Sequence, residues 1–183
     1  LKEPILYPLD LEGATPENYQ ELQDNLLNQF GKLDGLVHNA SILGTQMPIE
    51  QYDIKLWYST IQINLNAPFM LTQFLIPALL KSDDARIIFL SSTVGRQARA
   101  YWGAYSVSKF GIEGFAKILS EELEQTQISI NTVNPGKMRT EMRRTAYPAE
   151  DSSTVPLPEE KSQAIVHLLS SSSPKINGEQ LTI

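Results

Sequence analysis

The 183-residue chain contains no cysteine, which excludes disulfide scaffolds, thiol nucleophiles and Cys-based zinc centres while permitting a reducing compartment. Its two histidines, His38 and His167, are too few for a multi-histidine metal site. Positive charge is scarce as well: 15 Lys and Arg against 21 Asp and Glu give a net charge of −6. There is thus no general excess of cations to neutralise the phosphates of a nucleic acid, although a local basic patch stays open. Long apolar runs are missing too. The nearest, Phe69 to Leu80, is broken by Thr72, Gln73 and Pro77 and falls short of the ~20 residues that a bilayer crossing requires. The expectation is a cytoplasmic protein with neither nucleic-acid nor membrane partners, forming one domain over residues 1–183.

What is present alternates between strand and helix patterns. Pro4 to Asp10 reads as a short buried strand whose end Pro8 weakens. Thr15 has the chemistry of an N-cap, Pro16 suits the first helical position, and Tyr19, Leu22, Leu26, Leu27 and Phe30 recur at helical spacing up to Gly31. Leu33 to His38 is a second strand, and a polar turn follows over 39–45. Tyr52 to Leu80 is helical with an interruption near Asn64 to Pro68, Arg86 to Leu90 is a compact strand, Tyr101 to Glu124 a helix and Ile128 to Val133 a strand. A long polar loop from Asn134 to Pro156 precedes a helix over Pro158 to Leu169 and a last strand over Gln180 to Ile183. Such alternation predicts a parallel sheet covered by helices on both faces, because parallel strands need long crossovers.

One pair within this frame carries chemistry. Tyr105 and Lys109 stand four residues apart on a predicted helix, so the phenol and the ammonium share a face one turn apart. A cation near a tyrosine favours the phenolate and lowers the phenol from about 10 toward the range of an acid–base catalyst. Similar pairs also occur on helices with purely structural duties. Ser92 lies thirteen residues before Tyr105, just past the strand Arg86 to Leu90, where open α/β sheets place their ligands. Asn64 falls at the interruption of the long helix. Pro68 has no N–H to return to the Asn64 carbonyl, which is left free to hold a water, although a plain proline kink accounts for the same two residues.

Asn64, Ser92, Tyr105 and Lys109, in this order and on these elements, resemble the tetrad of the short-chain dehydrogenase/reductase family, and the resemblance covers nearly the whole chain. Asp10-Leu11 stands where the family contacts adenine, and His38-Asn39-Ala40-Ser41 where it has Asn-Asn-Ala-Gly. Asn134-Pro135-Gly136, with Met138 and Thr140, matches the turn at the nicotinamide carboxamide, and Ile176 to Gln180 the entry to the last strand. Arg96 to Ala104 and Arg139 to Arg143 look specifically like the bacterial YciK-type branch. The resemblance implies a Rossmann-like, doubly wound α/β fold of three αβα layers, and hydride transfer between NADP or NAD and a small-molecule carbonyl or alcohol. It implies Tyr105 as general acid or base, with Lys109 lowering its pKa and bonding the nicotinamide ribose. Ser92 would orient the substrate oxygen and Asn64 would hold a relay water. Cofactor contacts are implied for Asp10, Leu11, Asn39, Ala40, Tyr105, Lys109, Pro135, Gly136, Met138 and Thr140, and a homodimer or homotetramer for the assembly.

The chain also departs from the family pattern. His38 and Ser41 replace the usual Asn and Gly; His38 reads as a hydrogen-bonded structural residue, and Ser41 requires a turn without positive φ. The Gly-rich turn on which the family holds a pyrophosphate has no counterpart. Gly31 and Gly35 are wrongly spaced for it, while Gly111 and Gly114 lie inside the Tyr105 helix, where close packing accounts for them. The segment resembling the family's third strand begins almost at Leu1, without an initiator Met. The expectation is a fold lacking the family's first two strands, in an N-terminally incomplete chain, with a gap of two strand positions between Pro4 to Asp10 and Leu33 to His38. Direct pairing of those two segments would overturn it. The competing reading is a non-catalytic binding module of the same fold, or a fragment inactive without the Gly-rich loop. The loop Lys137 to Pro156 is expected to cover the nicotinamide, with Met138, Met142 and Tyr147 forming an apolar wall. Arg139, Arg143 and Arg144 either meet an anionic group there or are merely solvated. Phe69, Met70, Phe74, Phe110 and Phe115 fit an oligomer surface and a core-facing role equally well.

Overall fold

In the computed structural model residues 4–183 are described, so Leu1, with which the apolar opening begins, lies outside the described residues. Helices α1 (Pro16–Phe30), α2 (Ile54–Ile61), α3 (Ala67–Leu79), α4 (Gly103–Glu122), α5 (Glu141–Ala146) and α6 (Pro158–Leu169) alternate with strands β1 (Gly35–His38), β2 (Ala85–Leu90), β3 (Ile128–Asn134) and β4 (Gln180–Thr182). Among the described residues the strands form one parallel sheet in the order β1-β2-β3-β4. The period of two along a strand divides the core. Ile87 and Phe89 of β2 and Ile128 and Ile130 of β3 meet Leu75 and Leu79 of α3 and Ile112, Ala116 and Leu119 of α4. Ile88, Leu90 and Val133 point the other way, onto Ile165, Leu168 and Leu169 of α6. The result is a three-layer, Rossmann-like α/β fold, and β2 and β3, covered on both sides, are buried at every position. Arg86, buried within β2, donates to the Leu168 carbonyl at the end of α6 and to that of Ser173, both at 3.0 Å, satisfying carbonyls that the helix and the following turn leave open.

Residues 4–10 correct the sequence reading, for they form no strand. Ile5 and Leu6 are exposed, and the segment has no ladder partner among the described residues; it does not pair with β1, whose pairing is with β2. Without a partner, extended backbone has only solvent for its N–H and C=O groups. Asp10 instead builds a turn, its carboxylate accepting the Glu12 N–H at 3.1 Å and its carbonyl the Ala14 N–H at 2.7 Å. That turn feeds α1, which Thr15 and Asn18 cap and which Gly31 closes at φ 76°.

The interruption in the long helix is a π-turn over Gln62–Asn66, in which the Ala67 N–H reaches back five residues to the Gln62 carbonyl. Upstream, the helix begins not at Tyr52 but at Ile54, where the Asp53 carboxylate accepts the Leu56 N–H at 2.7 Å. The Tyr101 helix likewise starts two residues late, since Tyr101 has φ 73° and Gly103 φ 37°. A Cβ on Gly103 would overlap the Tyr52 ring. Gly111 is required by close packing, a Cβ there lying 2.7 Å from Leu65, whereas Gly114 faces open space and its expected packing role is absent. Of the five apolar residues weighed for an oligomer surface, Phe74 stacks on Tyr19 and Phe115 meets Phe89 edge-on inside the core, while Phe69 and Phe110 remain exposed. No helix among the described residues is long and apolar enough to cross a membrane.

His38 ends β1 buried, stacked on its cross-strand partner Phe89 with ring centroids 4.5 Å apart. Its Nε2 lies 2.8 Å from the Thr72 hydroxyl, which already donates to the Pro68 carbonyl at 2.7 Å; Nε2 therefore carries the proton and donates. Burial, with the Lys109 charge adding to it, pulls the imidazole down from 6.5 to about 3. The unfolded chain takes up this proton near 6.5 and the native protein does not, so stability present above pH 6.5 is lost as pH falls toward 3. The slope is up to about 1.4 kcal/mol per pH unit. Urea unfolding between pH 7 and pH 4.5 is expected to show that slope in the wild type and to lose it in His38→Gln; equal slopes would remove His38 as its source.

Candidate active site

Asn39 follows β1, Ser91 and Ser92 follow β2, and Asn134 to Gly136 end β3, so residues from three parallel strands gather outside their carboxyl ends, where such sheets open a crevice. With Tyr105 and Lys109 of α4 and part of α5 they line a cavity of about 250 Å³. Of the twelve residues expected in catalysis or cofactor contact, eight lie in its wall, namely Asn39, Ser92, Tyr105, Lys109, Pro135, Gly136, Met138 and Thr140. Ser41, Asn134, Met142, Arg143 and Tyr147 of the expected turns and lid line it too.

Asn64 stands behind the wall. Its Oδ1 accepts the Ile42 N–H and its Nδ2 donates to the Ile42 carbonyl, both at 2.8 Å, and Nδ2 also reaches Ser108 Oγ at 3.2 Å. The side chain thus braces the turn after β1 against α4, and any water-holding role falls to its main-chain carbonyl. Asp10, Leu11 and Ala40 are not among the lining residues. Asp10 occupies the exposed turn, and the Leu11 carbonyl accepts from Gln62 Nε2 at 3.5 Å.

Lys109 is almost fully buried. Its Nζ donates to the Leu90 carbonyl at 2.8 Å and lies 5.6 Å from the centroid of the Tyr105 ring. Burial draws it down to about 8, with Glu113, one turn further along α4, acting the other way. Burial also raises the Tyr105 phenol above its ordinary value, and a hydrogen bond with Ser92 offsets only part of this. Lys109, tied to the Leu90 carbonyl and itself disfavoured by burial, does not offset the burial of the phenol in this geometry.

Three groups add to the sequence reading, which treats Ser41 only as a turn residue and gives no role to Ser91 or to the pair Arg96 and Glu113. The hydroxyls of Ser41 and Ser91 are buried without a partner among the described residues, and both line the cavity. A buried hydroxyl left unpaired costs about 1–3 kcal/mol, so these are donors and acceptors held ready for a ligand. Together with Asn39, Thr140 and Lys109 they make a donor set suited to the carboxamide and ribose hydroxyls of a nicotinamide nucleoside. The run Ser91-Ser92-Thr93 at a strand end was the available signal for Ser91. The third is an ion pair between Arg96 and Glu113 at 2.7 Å, which links the turn after Ser92 to α4.

Residues 2–151 match the sequence profile of the short chain dehydrogenase family. The chain belongs to this family. This short-chain dehydrogenase is 44% identical over 157 residues to the uncharacterized oxidoreductase YciK of Escherichia coli K12, an alignment covering 86% of this chain and 62% of that protein. It is 32% identical over 136 residues to the 3-oxoacyl-[acyl-carrier-protein] reductase FabG of Salmonella typhimurium, covering 74% and 55%. The chain therefore spans less than two thirds of the length of either relative. A solved short chain dehydrogenase from Shigella flexneri 2a, complexed with NADP, superposes with a TM-score of 0.95 at 40% identity, covering 99% of this chain and 75% of that one.

Proposed function

We propose that this short-chain dehydrogenase is an NAD(P)-dependent oxidoreductase that interconverts an alcohol and a carbonyl compound. The observation that carries this reading is the meeting of Ser92, Tyr105 and Lys109 with the Asn134 to Gly136 turn in one cavity at the carboxyl edge of the sheet. A bound nicotinamide supplies or accepts the hydride. Lys109 Nζ bonds its ribose, the Ser41 and Ser91 hydroxyls with Asn39 and Thr140 take up its polar edges, and Pro135, Gly136 and Met138 border its ring. Asp10, Leu11 and Ala40 serve the adenosine end. Ser92 and Tyr105 grip the substrate oxygen between them. A phenol raised by burial holds its proton at neutral pH, so Tyr105 enters as the acid and delivers that proton to the oxygen as negative charge develops on it. The Lys109 ammonium then steadies the phenolate, and a water on the Asn64 carbonyl returns a proton from solvent.

The Shigella neighbour's NADP favours the phosphorylated dinucleotide. Titrating the intact protein with NADPH and NADH, followed by nicotinamide fluorescence, is expected to show saturable binding with NADPH the tighter, and a carbonyl panel to show nicotinamide consumption. Binding of neither dinucleotide would overturn the reading. Binding without turnover of any carbonyl would replace it with a binding module.

A further inference from the structure

Four cations lie on the segment 137–150 that covers the cavity, and each is already engaged. Arg139 donates to the Val155 and Ser153 carbonyls at 3.1 and 3.0 Å. Arg143 makes two hydrogen bonds, 2.6 and 2.7 Å, to the Glu150 carboxylate while lying 3.7 Å from the centroid of the Tyr147 ring. Lys137 shares that carboxylate at 3.3 Å, and Arg144 pairs with Glu141 at 2.7 Å. Arg99, on the facing loop, donates to the Tyr147 hydroxyl at 3.0 Å. Of these five only Arg143 reaches the cavity wall, and Glu150 meets its charge. Lys109, the other cation in the wall, is held on the Leu90 carbonyl.

The wall that Ser41, Ser91 and Ser92 line also carries an apolar cluster beside Tyr105. Leu43, Val94, Trp102 and Tyr105 form a buried cluster on which Met142, Ala146 and Tyr147 pack. The Trp102 ring lies 5.9 Å from those of both Tyr105 and Tyr147. A flat apolar group entering this wall gains ring and thioether contacts as it leaves water. A carboxylate or phosphate in the same place would be buried without a free counter-charge.

We propose that the site takes an uncharged carbonyl compound, or the matching alcohol, whose reacting carbon carries a flat apolar group, and that it rejects the same compound bearing an anionic group. Trp102 and α5 set the fit, and Glu150 sets the charge discrimination by neutralising Arg143. The inference rests on the oxidoreductase reading: the carbonyl carbon gains the hydride, its oxygen gains the Tyr105 proton, and NADPH is released as NADP⁺.

The intact protein with NADPH is tested on 4-methylbenzaldehyde and 4-carboxybenzaldehyde, which match in shape and differ in charge. The methyl compound is expected to have a kcat/KM about 100-fold higher, as for a site that leaves a buried charge unpaired. Glu150→Gln, which releases Arg143, is expected to shrink that ratio about tenfold. Trp102→Ala should lower kcat/KM for 4-methylbenzaldehyde about tenfold more than for propanal, a comparison that a general folding defect does not produce. Equal or faster turnover of the carboxylate, or a ratio unmoved by Glu150→Gln, overturns the inference. Quenching of tryptophan fluorescence by 4-methylbenzyl and 4-carboxybenzyl alcohol separates the two readings. If no carbonyl of the wider panel is reduced either, the oxidoreductase reading falls, yet tighter binding of the methyl alcohol still upholds the preference, and equal, inverted or absent binding sinks it.

Discussion

Tyr105→Phe is expected to lower kcat by about a thousandfold, the range of a lost general acid, while leaving nicotinamide binding and the fold nearly intact. Phenylalanine keeps the ring that Trp102 packs against and removes only the oxygen, whose partner is the Ser92 hydroxyl. The loss of that one hydrogen bond costs about 1 kcal/mol. The effect therefore belongs to the chemical step, and it separates Tyr105 from Lys109. Removing Lys109 would also release the Leu90 carbonyl and disturb the end of β2. Single-turnover reduction of a carbonyl, with NADPH binding measured alongside, decides the matter: undiminished reduction refutes the assignment, and loss of binding with loss of rate assigns the residue to the cofactor instead. The raised phenol adds a direction. Because the proton stays on Tyr105 at neutral pH, carbonyl reduction should be the faster direction there, and alcohol oxidation should gain as the pH rises.

The legible part of this molecule is the part written in periodicity. The apolar spacing from Tyr19 to Phe30, the β-branched run ending at Leu90 and the Tyr105–Lys109 interval each specify an element or a face, and α1, β2 and α4 form where that spacing puts them. Segments whose structure depends on partners were not legible. Residues 4–10 have the composition of a strand, but a strand exists only through its ladder. Helix α5 has six residues, too few for a period to register, and rests on the Thr140 cap and on packing against Trp102 and Tyr105. The lid arginines show the same division: their presence is plain in the sequence, whereas their engagement by Glu150, Glu141 and main-chain carbonyls is a property of the fold. The raised phenol of Tyr105 belongs with these, since spacing along a helix fixes which groups are neighbours but says nothing of how deeply both are buried.

Arg96 and Glu113 illustrate that last point in energetic terms, and removing either is expected to give the largest loss of stability among single polar substitutions near the site. Glu113 is 6% exposed; its Oε1 accepts Arg96 Nε at 2.7 Å and its Oε2 the Thr132 hydroxyl at 2.6 Å. Arg96 also donates to Thr182 Oγ1 at 3.0 Å, Thr132 Oγ1 at 3.2 Å and the Leu181 carbonyl at 3.0 Å. The pair thus ties the turn that follows Ser92 to the helix that carries Tyr105 and Lys109, and both to β3 and β4. Arg96→Ala leaves a buried carboxylate without its counter-charge, for which about 3–5 kcal/mol is the usual loss. Glu113→Ala strands the Thr132 hydroxyl and a half-satisfied guanidinium, and should cost about 2–3 kcal/mol. The double variant Arg96→Met with Glu113→Leu removes both charges and replaces them with apolar volume. It should recover much of the loss, because the desolvation of two ions no longer opposes their attraction. Urea unfolding of the wild type, Arg96→Met, Glu113→Leu and the double variant closes a double-mutant cycle. Single-variant losses below about 1 kcal/mol, or a double variant no more stable than the sum of the two, would show that the pair is an incidental surface contact rather than the brace that holds the Ser92 turn against α4.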